Sequence, residues 1–142
     1  MEATRYLERI RKIDSMLENR IEDYQRWLEV AEGLGGESLG DRVQTSRNLH
    51  RGADAIGQYI DIEKEIEALQ LERLAIIRTI ERLPQPEYDV TYRIYVAGQT
   101  LKELAYTFKK SYDTVKRWKN NALMLVQGML DDGTAHTSTE RG

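Results

Sequence analysis

The stretch TLKELAYTFKKSYDTVKRWKNNAL, residues Thr100–Leu123, is the part of the chain from which the fold is most directly read. Thr100 and Glu103 form a Thr-x-x-Glu capping box, in which a hydroxyl and a carboxylate three residues apart satisfy each other's backbone N–H groups at a helix start. Leu101, Leu104, Ala105 and Phe108 then recur at helical spacing and predict one apolar face. Lys109-Lys110 follows, and Ser111 is placed to cap a second helix whose inner face is Val115, Trp118, Ala122 and Leu125. Two capped helices joined by a tight turn, each with one apolar face, are the frame of a helix-turn-helix.

At about 100° per residue, the face opposite Val115, Trp118 and Ala122 carries Asp113, Lys116, Arg117 and Asn120, with Tyr112 and Lys119 beside it. These groups suit base edges: Arg or Lys for guanine, Asn for adenine, a carboxylate for the cytosine amino group. Lys102, Lys109 and Lys110 are placed to meet phosphates, which fix register without reading sequence. With the turn and cap residues Thr100, Ser111 and Thr114, they complete the candidate DNA-binding set. The bland alternative for Lys116 and Arg117 is a solvated helix face.

Working outward, Tyr88, Tyr92, Tyr95 and Val96 line one face of a short helix ending at Gly98. Pro84 and Pro86 separate it from what precedes, since proline disfavours the helical conformation of its predecessor. Upstream, Tyr59, Ile62, Ile66, Leu69, Arg73, Ile76, Ile80 and Leu83 alternate steps of three and four, with Arg73 the only polar member. That seven-residue period marks a coiled-coil seam from about Arg51 to Leu83. Tyr6, Ile10, Ile13, Leu17, Ile21, Tyr24 and Leu28 make a similar stripe over about residues 4–32. Gly33, Gly35, Gly36 and Gly40 are expected to end the first helix, in a loop of about 33–48. The seam's partner is the first helix folded back, or the same helix in a second copy, and the spacing leaves both open. The expected organisation is all-α: a helical hairpin or coiled coil in 1–83, a helix-turn-helix unit in 84–130, and a polar, disordered tail in 131–142.

Charge is unevenly shared. The net charge is −3, yet residues 85–127 carry seven Lys/Arg against four Asp/Glu, while residues 1–84 carry 13 against 17. The basic excess lies in the segment holding the motif, as a footprint on DNA requires. No run approaches the ~20 apolar residues of a membrane span. The charged N-terminus argues against a secretory signal. The absence of cysteine excludes a disulfide framework and fits a reducing cytoplasm.

Other features read blandly. Gly-Leu-Gly-Gly-Glu-Ser at 33–38 follows a helix and lacks the Gly-Lys-Ser/Thr ending of a phosphate loop. Trp27 and Trp118 are read as packing residues, and the Glu residues of 63–81 as a solvated face. His50 and His136 are isolated, so no metal, cofactor or catalytic group is expected, and the chain is not read as an enzyme.

Leu83-Pro84, Val90, Tyr92-Arg93, Tyr95, Gly98, Thr100 to Ala105, Ser111, Val115 and Ala122-Leu123 resemble, without a gap, the sigma-factor domain that reads the −35 promoter element (region 4). Residues 4–126 also resemble small proteins of phages and prophages of Gram-positive bacteria, whose relatives include late-operon transcriptional activators of the ArpU type. The resemblance implies a sequence-specific regulator of phage late transcription in the bacterial host cytoplasm. Its expected partners are double-stranded DNA, host RNA polymerase and, through the N-terminal helices, a second copy. Base contacts in sigma factors come from the first residues after the turn, which match Tyr112, Asp113, Lys116 and Arg117. The chain departs from that pattern with Lys109 in place of Gly and Tyr112 in place of Arg, so the −35 consensus is not carried over. It also lacks a counterpart of the segment that opens promoter DNA, and a complete sigma factor is not expected. Two alternatives are a small terminase subunit, from the heptad stripe, and an adaptor that binds polymerase without touching DNA.

Overall fold

The computed structural model of the protein describes residues 2–35 and 46–135, with the side chains of 34–35 and 46–53 outside the description. The chain is all-α, and no strand occurs among the described residues. Helices α1 (Ala3–Gly35) and α2 (Ser46–Glu81) are followed by α3 (Glu87–Thr91), α4 (Leu101–Phe108) and α5 (Tyr112–Asp131). Of the glycines expected to end the first helix, Gly33 lies within α1 and Gly35 is its last residue. A glycine costs a helix only about 1 kcal/mol relative to alanine, so Gly33 is not an obligatory stop. Gly36 and Gly40 fall outside the described residues.

Two compact units emerge, one of residues 1–14 and 71–142, the other of residues 15–70. In the first, α1 and α2 run antiparallel. The Tyr6 hydroxyl and Thr79 Oγ1 are 2.7 Å apart. Arg9 grips Glu72 through two hydrogen bonds, of 2.6 and 3.1 Å. Tyr6, Leu7, Ile10, Ile13, Ile76, Ile80 and Leu83 are buried. Arg73, the polar member of the α2 stripe, donates from Nε to Asp14 Oδ1 at 2.6 Å. Both partners stay partly exposed, so the pair adds at most about 1 kcal/mol and serves mainly to satisfy the guanidinium.

In the second unit α1 and α2 again run antiparallel, with Arg20 Nε 2.9 Å from Glu65 and the Tyr24 and Tyr59 rings edge-to-face at 5.7 Å. Ala55, Ile62 and Leu69 are buried there. Ile21, expected in the apolar stripe, is 42% exposed. Two helices alone cover a narrow strip, and a stripe residue at its edge keeps one side in water.

Tyr95 is buried in the first unit with Val90, Thr91 and Glu87, whereas Tyr88 and Tyr92 stay half-exposed. The expected face of Tyr88, Tyr92, Tyr95 and Val96 is therefore corrected. After Thr91 the chain makes one π-helical turn, Tyr92–Val96, closed by the Ala97 N–H on the Tyr92 carbonyl. This wider turn shifts the residues after it round the helix relative to α-helical spacing, and Tyr95 within it is buried. The expected disordered tail is also corrected in part. Asp131 belongs to α5, and Gly133 at φ +72° reverses the chain. The Arg82 guanidinium then donates to the Thr134 carbonyl, and Ala135 is buried. Residues 136–142, and His136 with them, lie outside the described residues.

Leu104 is fully buried and Ile21 is not, so Leu104→Ala should lower the unfolding free energy by about 2–5 kcal/mol and Ile21→Ala by less than about 1, measured by urea titration. Burial, helped by the nearby Glu8 charge, pushes the Tyr95 phenol up to about 12. The unfolded chain loses this proton first, near its ordinary value of about 10. The stability from Tyr95 should be complete below about pH 10 and drain away as pH rises towards 12. Tyr95→Phe should flatten that limb in alkaline denaturation.

Candidate nucleic-acid interface

The two helices of the motif are capped from within their own sequence. Thr100 has extended backbone, its hydroxyl accepts from the Glu103 N–H at 3.1 Å, and the Glu103 carboxylate accepts from the Thr100 N–H at 2.8 Å. After Phe108 the chain turns left-handed at Lys109, φ 56° and ψ 45°. The Lys110 N–H bonds the Ala105 carbonyl at 3.0 Å and the Lys109 N–H bonds that of Tyr106 at 3.2 Å. This is the Schellman arrangement that ends many helices, with lysine where glycine is usual. Ser111 then caps α5, its hydroxyl accepting from the Thr114 N–H at 3.1 Å.

The helices are held at their apolar faces by Val90, Leu104 and Val115, all fully buried, with Ile94, Leu101, Ala105, Phe108 and Trp118 around them. Phe108 and Trp118 meet edge-to-face at 6.4 Å, and the Arg93 guanidinium lies 5.3 Å from the Phe108 ring centroid. Trp118 thus packs against the core. Ala122 is buried as expected, but Leu125 is 42% exposed and Val126 takes the inner position. Nor did the sequence single out the clip from Asn121 Nδ2 to the buried Glu87 carboxylate, 3.1 Å, which ties α5 to α3.

The opposite face of α5 is open. Tyr112, Asp113, Lys116, Arg117 and Asn120 are exposed, and Thr114 and Lys119 are half-exposed. Thr100, Lys102, Lys109, Lys110 and Ser111 are exposed at the caps and turn. Helix α5 gathers the candidates Tyr112 to Asn120 on one element, while Thr100 and Lys102 stand at the far end of α4 from the turn. The hydroxyls of Thr100, Ser111 and Thr114 are engaged in the caps, so these three shape the frame. Ion pairs among the described residues all lie on α1 and α2. The cations of α4, the turn and α5 therefore have no carboxylate partner among the described residues, and all but the half-exposed Lys119 are exposed. Two strongly exposed apolar side chains went unnoticed in the sequence, Tyr106 on α4 at 87% and Met124 on α5 at 71%. Met124 was visible in principle, because Asp113, Arg117, Asn120 and Met124 follow at steps of four, three and four.

No cluster of metal-ligating side chains occurs among the described residues, and none of their helices is long and apolar enough to cross a membrane. No family model, curated protein or solved structure matches the chain.

Lys109 holds a conformation that costs an L-residue about 1–2 kcal/mol. Lys109→Gly should therefore stabilise the fold, by up to about 1 kcal/mol once glycine's greater unfolded-state freedom is set against the relief. Thermal unfolding followed by circular dichroism would read this as a rise of several degrees, and a fall would deny that the turn is strained.

Proposed function

We propose that the chain is a sequence-specific DNA-binding regulator of transcription, of the kind that controls phage late genes, with α4 and α5 as its helix-turn-helix. The observation that carries this reading is the open face of α5. Asp113, Lys116, Arg117 and Asn120 stand exposed on one side of a capped helix whose other side is fixed by Val115 and Ala122. A rigidly held helix with donors and acceptors on its free face suits the major groove, which admits an α-helix and presents a distinct pattern for each base pair. Lys109 and Lys110 at the turn supply phosphate contacts. The local basic excess favours approach to DNA over the whole chain's acidity, because steering depends on the charge of the approaching surface.

The resemblance to sigma-factor region 4 supports the transcriptional part of the proposal. The paired α1 and α2 helices are then the element that meets host RNA polymerase or a second copy. Packaging, and an adaptor role without DNA contact, remain the competing assignments.

Binding to sheared DNA from the source genome tests the reading. The wild-type chain should enrich a few fragments near physiological salt, where purely electrostatic binding fades. Lys116→Ala/Arg117→Ala should lower specific affinity at least about tenfold, since a base contact contributes about 1–3 kcal/mol, with helicity unchanged by circular dichroism. Full affinity in the double variant would sink the assignment of α5 as the reading helix. Absence of enrichment by the wild type would shift the weight to the adaptor assignment.

A further inference from the structure

We infer that Met124 is a further base-reading position on α5, one that meets the C5-methyl group of a thymine; the inference rests on the DNA-binding reading above. Asp113, Arg117, Asn120 and Met124 fall within a strip roughly 60° wide on a helix of 3.6 residues per turn. At about 1.5 Å per residue the strip from Asp113 to Met124 is about 16 Å long. With base pairs about 3.4 Å apart, that length matches about five steps of major groove.

The chemistry of the strip changes along it. It starts with a carboxylate, continues with a guanidinium and a carboxamide, and ends with a thioether that is 71% exposed. Helix α5 carries no carboxylate between Asp113 and Asp131. Asp131 is exposed on the same side, where it would oppose phosphates, and it marks where the DNA-facing length must stop. Gln127, the only polar side chain between Met124 and that limit, accepts from the Ala3 N–H and donates to Asp131, which leaves Met124 as the last side chain on the strip free to meet a base edge. Thymine alone among the bases presents a methyl group in the major groove, and an apolar side chain is the group that reads it. An unbranched thioether adapts its shape to such a contact without needing a fixed geometry. Leu125, also exposed, lies about 100° round the helix and off the strip.

The test uses the full chain and two random duplex libraries, one made with thymidine and one with deoxyuridine, which differs only by the missing methyl. The wild type should enrich a motif with a fixed thymine at one flank. Replacing that thymine with deoxyuridine should weaken binding about fourfold, the equivalent of one buried methyl group. Met124→Ala, at an exposed position, should fold normally by circular dichroism, bind both forms equally and lose the thymine from its motif. Met124→Leu should retain the discrimination. Equal wild-type affinity for both forms at every motif position, or a penalty that survives in Met124→Ala, overturns the methyl contact and leaves the DNA-binding reading standing. Recovery of no motif from either library overturns that reading and this inference with it.

Discussion

The three-way contact of Val90, Leu104 and Val115 is what the rest of the C-terminal half depends on. Helix α4 has only eight residues and one fully buried side chain, Leu104. A helix that short is not stable alone in water, so its existence as well as its direction comes from packing. Val90 supplies one wall from α3 and Val115 the other from the first turn of α5. With these three in place, Phe108 reaches Trp118 and the left-handed turn at Lys109 becomes the way for the chain to leave one helix and enter the next. The open face of α5 is a consequence: with Val115 and Ala122 turned inward, Asp113, Arg117 and Asn120 must turn out.

What could be read in advance was local. Thr100 with Glu103, and Ser111 with the start of α5, are caps whose partners lie three residues away, so the pattern and the hydrogen bonds coincide. The antiparallel course of α1 and α2 was one of two arrangements that their stripes allowed. Contacts such as Tyr6 with Thr79, which the spacing alone could not supply, distinguish it within the chain. Other positions depend on features that the apolar spacing does not carry. Tyr95 is turned inward by a π turn that leaves no mark in the apolar spacing. The buried Glu87 carboxylate finds its partner in Asn121, 34 positions on. Ala135 looks like tail composition, yet the Arg82 guanidinium on the Thr134 carbonyl holds its neighbour. Leu125 and Val126 are adjacent and both apolar, and only the surroundings of α5 decide which one is covered.

The candidate site was legible for the same reason as the caps: an exposed helix face is fixed by which residues face inward. Its electrostatics depended on the fold. Counting charges along the chain shows a modest excess near the motif, but the ion pairs settle where charge is neutralised. Arg9, Arg20, Arg26 and Arg73 are paired on α1 and α2, while Lys102, Lys109, Lys110, Lys116 and Arg117 have no ion pair among the described residues. A chain that is acidic as a whole can therefore still present unpaired cations on one helix face, because its arginine–carboxylate pairs lie elsewhere.

On the DNA-binding reading, these allocations also limit how much sequence one copy can read. Thr100, Ser111 and Thr114 have spent their hydroxyls on the frame, and Lys109 and Lys110 are placed for phosphates. Base reading is left to Asp113, Lys116 or Arg117, and Asn120, with Met124 adding a methyl contact. At about 1–3 kcal/mol for each good pairing, three polar readers supply about 3–9 kcal/mol of discrimination. Specific regulators separate their sites from bulk DNA by about 4–10 kcal/mol, so one α5 reaches the lower part of that range unless every contact is ideal. Added selectivity has to come from a second reader held at a fixed spacing, or from a polymerase already bound nearby. A helix pair as long as α1 and α2 is far more than α4 and α5 need for their own support, and presenting such a partner gives that length a physical purpose.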